Sequence, residues 1–189
     1  MSDRSAECDR EVYQALLAAV RVEQRRILAD AKAAEHVFRE AHFLVRERHP
    51  WKEWGTYMPY IRTIAAGVGC YWGTLSFHGP QTKREMRIKE FGRKGKWRYT
   101  SAQFQDAKAW EVDAIEEAEE IFERVRRRTA FLAKIVQVTK GAAAADGVRL
   151  DGMADGVATN AEAGTKGFRS VLDDWVPPSR FEGMPEQGE

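Results

Sequence analysis

Cys70-Tyr-Trp-Gly-Thr-Leu-Ser-Phe77 is the stretch on which the fold turns. Its side chains alternate, with Tyr71, Gly73, Leu75 and Phe77 on one face and Trp72, Thr74 and Ser76 on the other. This is the two-residue period of a half-buried strand. Further strands are expected over residues 60–66, 86–91 and 97–100, with breaks at Gly67-Val-Gly69, His78-Gly-Pro80 and Gly92-Arg-Lys-Gly95. A three- or four-stranded antiparallel meander, one face packed on helices, is the simplest closure. Trp51, Trp54, Tyr57 and Tyr60 run into this region and are expected to cover its core.

On either side the period becomes helical. Residues 9–48 contain neither Gly nor Pro, and Val12, Leu16, Val20, Ile27, Ala31, Ala34, Phe38, Ala41 and Val45 recur at steps of mostly three and four. Glu23 interrupts the stripe, where the helix would bend or leave the core. His49-Pro50 ends it, because a residue before proline avoids the helical region. A second helical pattern follows Thr100-Ser-Ala-Gln103, a capping-box signature. Its stripe runs Trp110, Ala114, Ala118, Ile121, Val125, Leu132, Ile135 and Thr139, widened by Phe122, with Gly141 as the expected C-cap. Acids precede bases along it, in the order that complements the helix dipole. The expectation is an α+β fold: two long amphipathic helices flank a small antiparallel β meander. The helices should pair within one chain, a coiled-coil-like homodimer being the alternative.

Residues 1–141 read as one α–β–α domain and residues 142–189 as an acidic, largely disordered tail. In that tail four bases oppose nine acids, which leaves the body with twenty-six bases against twenty acids. Large apolar residues are sparse there, except in the island Phe168-Arg-Ser-Val-Leu-Asp-Asp-Trp175.

Two cysteines, Cys8 and Cys70, are too few for a disulfide framework or a zinc site. No apolar run reaches the roughly 18–20 residues of a membrane span, and the polar N-terminus lacks a signal-peptide core. A cytoplasmic protein without membrane contact is expected. His36, His42, His49 and His78 form no metal-ligand spacing, and no phosphate loop or dinucleotide fingerprint is present. The acids of the second helix read as a solvated face. The pattern points to a protein that is not an enzyme and needs no cofactor or metal.

The distinctive segment is residues 83–99, where eight bases meet two acids and Phe91, Trp97 and Tyr99 interleave. On a hairpin turning at Gly92-Arg-Lys-Gly95, Arg93, Lys94 and Lys96 would project from the tip, while Arg87 and Lys89 would share a strand face. With Arg84, Trp97 and Arg98 these make a candidate nucleic-acid-binding set: bases track phosphates and aromatics stack on nucleobases. The opposing possibility is a solvated hairpin with Trp97 and Tyr99 turned into the core.

Trp97-Arg-Tyr-Thr-Ser-Ala-Gln-Phe104, followed by Ala109-Trp-Glu111 and preceded by Tyr71-Trp-Gly-Thr-Leu-Ser-Phe77, resembles the MobI family of conjugative transfer proteins over roughly residues 60–137. The resemblance implies an auxiliary protein that acts at the origin of transfer and helps the relaxase begin DNA processing. The acidic tail matches nothing in it. The leading expectation is therefore a non-catalytic DNA-binding accessory factor with DNA and relaxase as partners. The alternative is a protein–protein adaptor that docks through its long helices.

Overall fold

The computed structural model describes residues 3–64, 67–78 and 85–150. Arg84 and the island from Phe168 to Trp175 lie outside the described residues. Helix α1 spans Asp3–Arg48, strands β1 Tyr57–Ile64, β2 Gly67–His78 and β3 Glu85–Glu90 follow, and helix α2 spans Ala109–Ala145. The strands form one antiparallel sheet in the order β1-β2-β3, so the expected α–β–α order and three-stranded meander are what the chain adopts.

Helix α1 is uninterrupted for 46 residues, about 69 Å at 1.5 Å per residue. Glu23 does not break it: its carboxylate sits on the flank, paired with Arg26 at 2.8 Å and facing Arg128 of α2 at 3.4 Å. The inward stripe is Leu17, Val20, Ile27, Ala31, Ala34, Phe38 and His42. Val12 and Leu16, expected inside, are exposed. Successive steps of four turn a side chain about 40° past a full rotation, so those two drift outward and Leu17 takes the inner position. The helices run antiparallel. Near one end the Tyr13 hydroxyl donates to Asp146, and near the other Phe38 and His42 pack on Trp110.

The sheet differs from expectation at its edges. Gly67-Val-Gly69, expected as a break, opens β2, with Gly67 paired to Ile64 and Gly69 to Arg62. Residues 97–100 form no strand. The capping-box signature caps a 3₁₀ turn, Ser101–Phe104, rather than the long helix. Helix α2 runs past Gly141 and closes at Gly147 (φ 68°), where Gly147 N–H donates to Ala144 at 3.2 Å and Val148 N–H to Ala143 at 2.8 Å. That paired return is a Schellman closure, with Val148 and Ala143 buried together.

Trp72 is the centre of the core. Its indole meets Phe38 of α1 at 5.0 Å, Phe104 of the 3₁₀ turn at 5.3 Å and Phe122 of α2 at 5.9 Å. The acids of α2 are not all solvated: Glu111 and Glu119 are buried. Glu111 accepts the backbone N–H groups of Thr56 (2.8 Å), Tyr57 (2.9 Å) and Lys108 (3.0 Å), joining the start of β1 to the start of α2. Glu119 accepts Trp72 Nε1–H at 2.7 Å, Tyr99 N–H at 2.9 Å and both terminal nitrogens of Arg126 at 2.8 and 3.0 Å. Arg126 also donates to the carbonyls of Cys70 (3.2 Å) and Trp97 (2.8 Å). Gly55 lies so close to this packing that a Cβ would sit 2.6 Å from Glu111 Oε1 and 2.7 Å from both His42 and Trp110.

Arg126→Met leaves the Glu119 carboxylate buried without its cation and should cost about 3–5 kcal/mol in urea unfolding. Glu119→Leu added to it should recover part of that loss. A single-variant loss under about 1 kcal/mol would mean that the pair is solvated.

His42 supplies a pH prediction. Burial and the neighbouring Arg46 and Arg39 push its pKa down from 6.5 to about 4, against the opposing pull of the Gly55 carbonyl. The imidazole stays neutral in the fold while the unfolded chain protonates it. Its contribution is full above pH 6.5 and drains as pH falls toward 4, about 3 kcal/mol in all. His42→Gln should remove that share of the pH dependence between pH 7 and 4. Superimposable pH profiles for the two proteins would contradict the assignment.

Candidate nucleic-acid interface

Strand β3 ends at Glu90, and residues 91–100 return to α2 without a second strand. The hairpin expected at Gly92-Arg-Lys-Gly95 therefore does not form. The reason is local: side chains satisfy the backbone groups that a strand partner would take. Gln103 donates through Nε2 to the Gly92 carbonyl at 2.7 Å and accepts from Lys94 N–H at 3.1 Å and Thr100 N–H at 3.2 Å. Glu119 accepts Tyr99 N–H, and Arg126 donates to the Trp97 carbonyl. Arg93 Nε donates to the Gly95 carbonyl at 3.0 Å, which tightens the bend.

The aromatics divide accordingly. Tyr99 is buried, and partly buried Phe91 packs with Tyr57, Tyr99 and Phe104 in the core at 5.8, 5.4 and 5.8 Å. The Arg126 guanidinium lies 5.1 Å from the Tyr99 ring centre. Burial pushes the Tyr99 hydroxyl up from its ordinary range, and it donates to the Phe91 carbonyl at 3.3 Å. Trp97 is half-buried, with the Lys96 ammonium 5.3 Å from its ring centre. Its indole is neither wholly core nor wholly free.

The cations also divide. Arg98 is ion-paired to Glu116 and faces Glu123 at 4.0 Å, so α2 already neutralises it. Arg93, Lys94 and Lys96 are exposed on the irregular segment, and Lys89 is exposed on β3. Among the described residues these four form no ion pair with a carboxylate. Arg87 is exposed and shares a β3 face with Lys89 by alternation. Thr74 and Ser76 hydroxyls donate to the Lys89 and Arg87 carbonyls, both at 3.3 Å, holding this edge in register.

The residues that sequence reasoning missed are the ones holding the segment: Gln103, Glu119 and Arg126. A signal for the last two was present. Glu111, Ile115, Glu119, Phe122, Arg126 and Thr129 fall at steps of three and four along α2, one residue out of phase with the stripe drawn through Trp110, Ala114 and Ile121.

The two glycines of the expected turn are not equivalent. A Cβ on Gly95 would lie 2.4 Å from the Arg98 carbonyl oxygen, whereas Gly92 has open space around it. Gly95→Ala should cost about 1–3 kcal/mol by overpacking and shift Trp97 fluorescence. Gly92→Ala should stay within about 0.5 kcal/mol. Equal effects of the two substitutions would contradict the folded-back course of the segment.

No helix among the described residues is long and apolar enough to cross a membrane. No curated protein and no solved structure matches the chain. A family model described as MobI protein matches residues 27–140. The match takes in the second half of α1, the whole sheet, the basic segment and nearly all of α2. The chain thus belongs to the MobI family and is a mobilisation-related protein.

Proposed function

We propose that the chain is a non-catalytic accessory factor of conjugative transfer that contacts DNA at the origin of transfer and assists the relaxase. The observation that carries this reading is the set of exposed cations Arg93, Lys94 and Lys96 on a segment held from beneath by Gln103, Glu119 and Arg126, with exposed Lys89 on the adjoining strand held by Thr74. A phosphate backbone is bound by cations that release its counterions, and a surface already ordered loses less entropy on binding. Half-buried Trp97 beside Lys96 offers an aromatic edge next to the same cations, a pairing suited to nucleobases exposed in locally opened DNA. In this reading the chain performs no chemistry itself. It presents or distorts DNA for the enzyme that cuts it.

Replacing Arg93, Lys94 and Lys96 together with Ala should leave the fold intact, since exposed charges contribute little to stability. Binding to origin-region duplex should weaken, and the slope of log affinity against log salt should flatten by about 2–3. An unchanged affinity and slope, with transfer in cells also unaffected, would remove the segment from the mechanism. The adaptor reading, in which the long helices dock another protein, would then lead.

A further inference from the structure

Helix α1 carries a second apolar stripe that the fold does not use. Val12, Val22, Val37 and Leu44 are 53, 58, 59 and 48 % exposed, although each is a residue that usually goes inside. Ala15, Ala19, Ala29 and Ala33 lie between them on the same face and are also exposed. From Cys8 the series runs 8, 12, 15, 19, 22, 26, 29, 33, alternating steps of four and three, which is the heptad spacing of a helix–helix seam. It continues through Val37 to Leu44 after one added four-residue step, a stutter, with exposed Glu40, drawn toward His36 at 3.2 Å, at the seam position between them. Arg26 interrupts the seam but is folded onto Glu23 of its own helix through two hydrogen bonds of 2.8 and 3.0 Å. The inner stripe through Val20, Ile27 and Phe38 lies about 120° round the helix, so this is a separate face.

We infer that the outer face of α1 pairs with the same face of a second copy of the chain, the two α1 helices running parallel about a two-fold axis. Size and charge both support this occupant. From Cys8 to Leu44 the stripe is about 54 Å long, and a strip about 10 Å wide buries about 1,100 Å² over two copies. That clears the roughly 1,000 Å² expected of a specific interface, at its weak end. Around the middle of the seam the flanks carry opposite charge: exposed Arg25 and Lys32 lie on one side and exposed Asp30 on the other, while nearer the N-terminus exposed Glu11 shares the Arg25 side and exposed Asp9 the Asp30 side. In a parallel pair opposite flanks meet, bringing Arg25 of one copy to Asp30 of the other on both sides of the axis. In an antiparallel pair like flanks would meet. Alanines in the seam let the backbones approach closely, and the large residues fill the gaps between them.

The full chain should sediment as a dimer at tens of micromolar and dissociate on dilution. Val22→Glu with Val37→Glu should make it monomeric at every concentration with an unchanged circular dichroism spectrum, because both side chains are exposed within one protomer. Arg25→Asp alone should weaken the dimer about tenfold, and adding Asp30→Arg should restore it. Cys8 is exposed and Cys70 buried, so a short bismaleimide should join the two Cys8 thiols of a parallel dimer and leave the Cys8→Ser variant uncoupled. A chain that stays monomeric at tens of micromolar overturns the inference, as does a dimer indifferent to Val22→Glu with Val37→Glu. A dimer that forms without Cys8 coupling and without rescue by the charge swap overturns the parallel arrangement. A monomer that binds a purified relaxase through this face would assign the surface to that partner instead.

Discussion

A carboxylate and a guanidinium each lose several kcal/mol of hydration when taken out of water. Glu119 and Arg126 are 1 and 5 % exposed. Such a pair is tolerable only when every remaining donor and acceptor is matched, and here the matching groups are four residues on two elements. Trp72 and Cys70 belong to β2, Trp97 and Tyr99 to the irregular segment, and the pair itself to α2. The desolvation cost therefore becomes a constraint on geometry. If the sheet slides along α2, or if residues 97–99 lift away, a buried charge loses a partner.

This constraint explains how a segment without regular structure can present a defined surface. Residues 91–100 have no strand partner, yet their backbone is held by a buried ion pair on one side and by the amide of Gln103 on the other. The buried rings of Tyr99 and Phe104 and the partly buried ring of Phe91 fill the space below. Cations at 93, 94 and 96 are thus carried on a rigid base, whereas Arg98, one step away, is drawn back onto Glu116. The division between structural and available charge is set by α2 rather than by local sequence.

Much of this architecture is legible in the sequence. Alternation through residues 70–77 and the three-and-four spacing on either side are direct consequences of strand and helix geometry, and they identified the α–β–α order. The family resemblance rested on Trp97 to Phe104 and on Tyr71 to Phe77, both of which lie within the matched residues. What escaped was phase and partnership. Val12 and Leu16 fit the inward stripe locally, but rotation accumulates along a 46-residue helix and carries them outward. Glu111 and Glu119 sit among acids that are solvated, and sequence does not reveal which acid meets a buried indole or amide. The glycines of Gly92-Arg-Lys-Gly95 suit a hairpin, but side-chain acceptors from α2 and the 3₁₀ turn take the backbone N–H groups that pairing needs.

The most direct test is hydrogen exchange of the Tyr99 amide, which lies in irregular backbone but donates to Glu119 at 2.9 Å. If the buried pair ties the segment to the core, this amide opens only with global unfolding and is protected as strongly as the Trp72 amide in the middle of β2. Exchange at Tyr99 many orders of magnitude faster than at Trp72 would show that the segment opens by itself, and the basic surface would lose the rigid support on which the account depends.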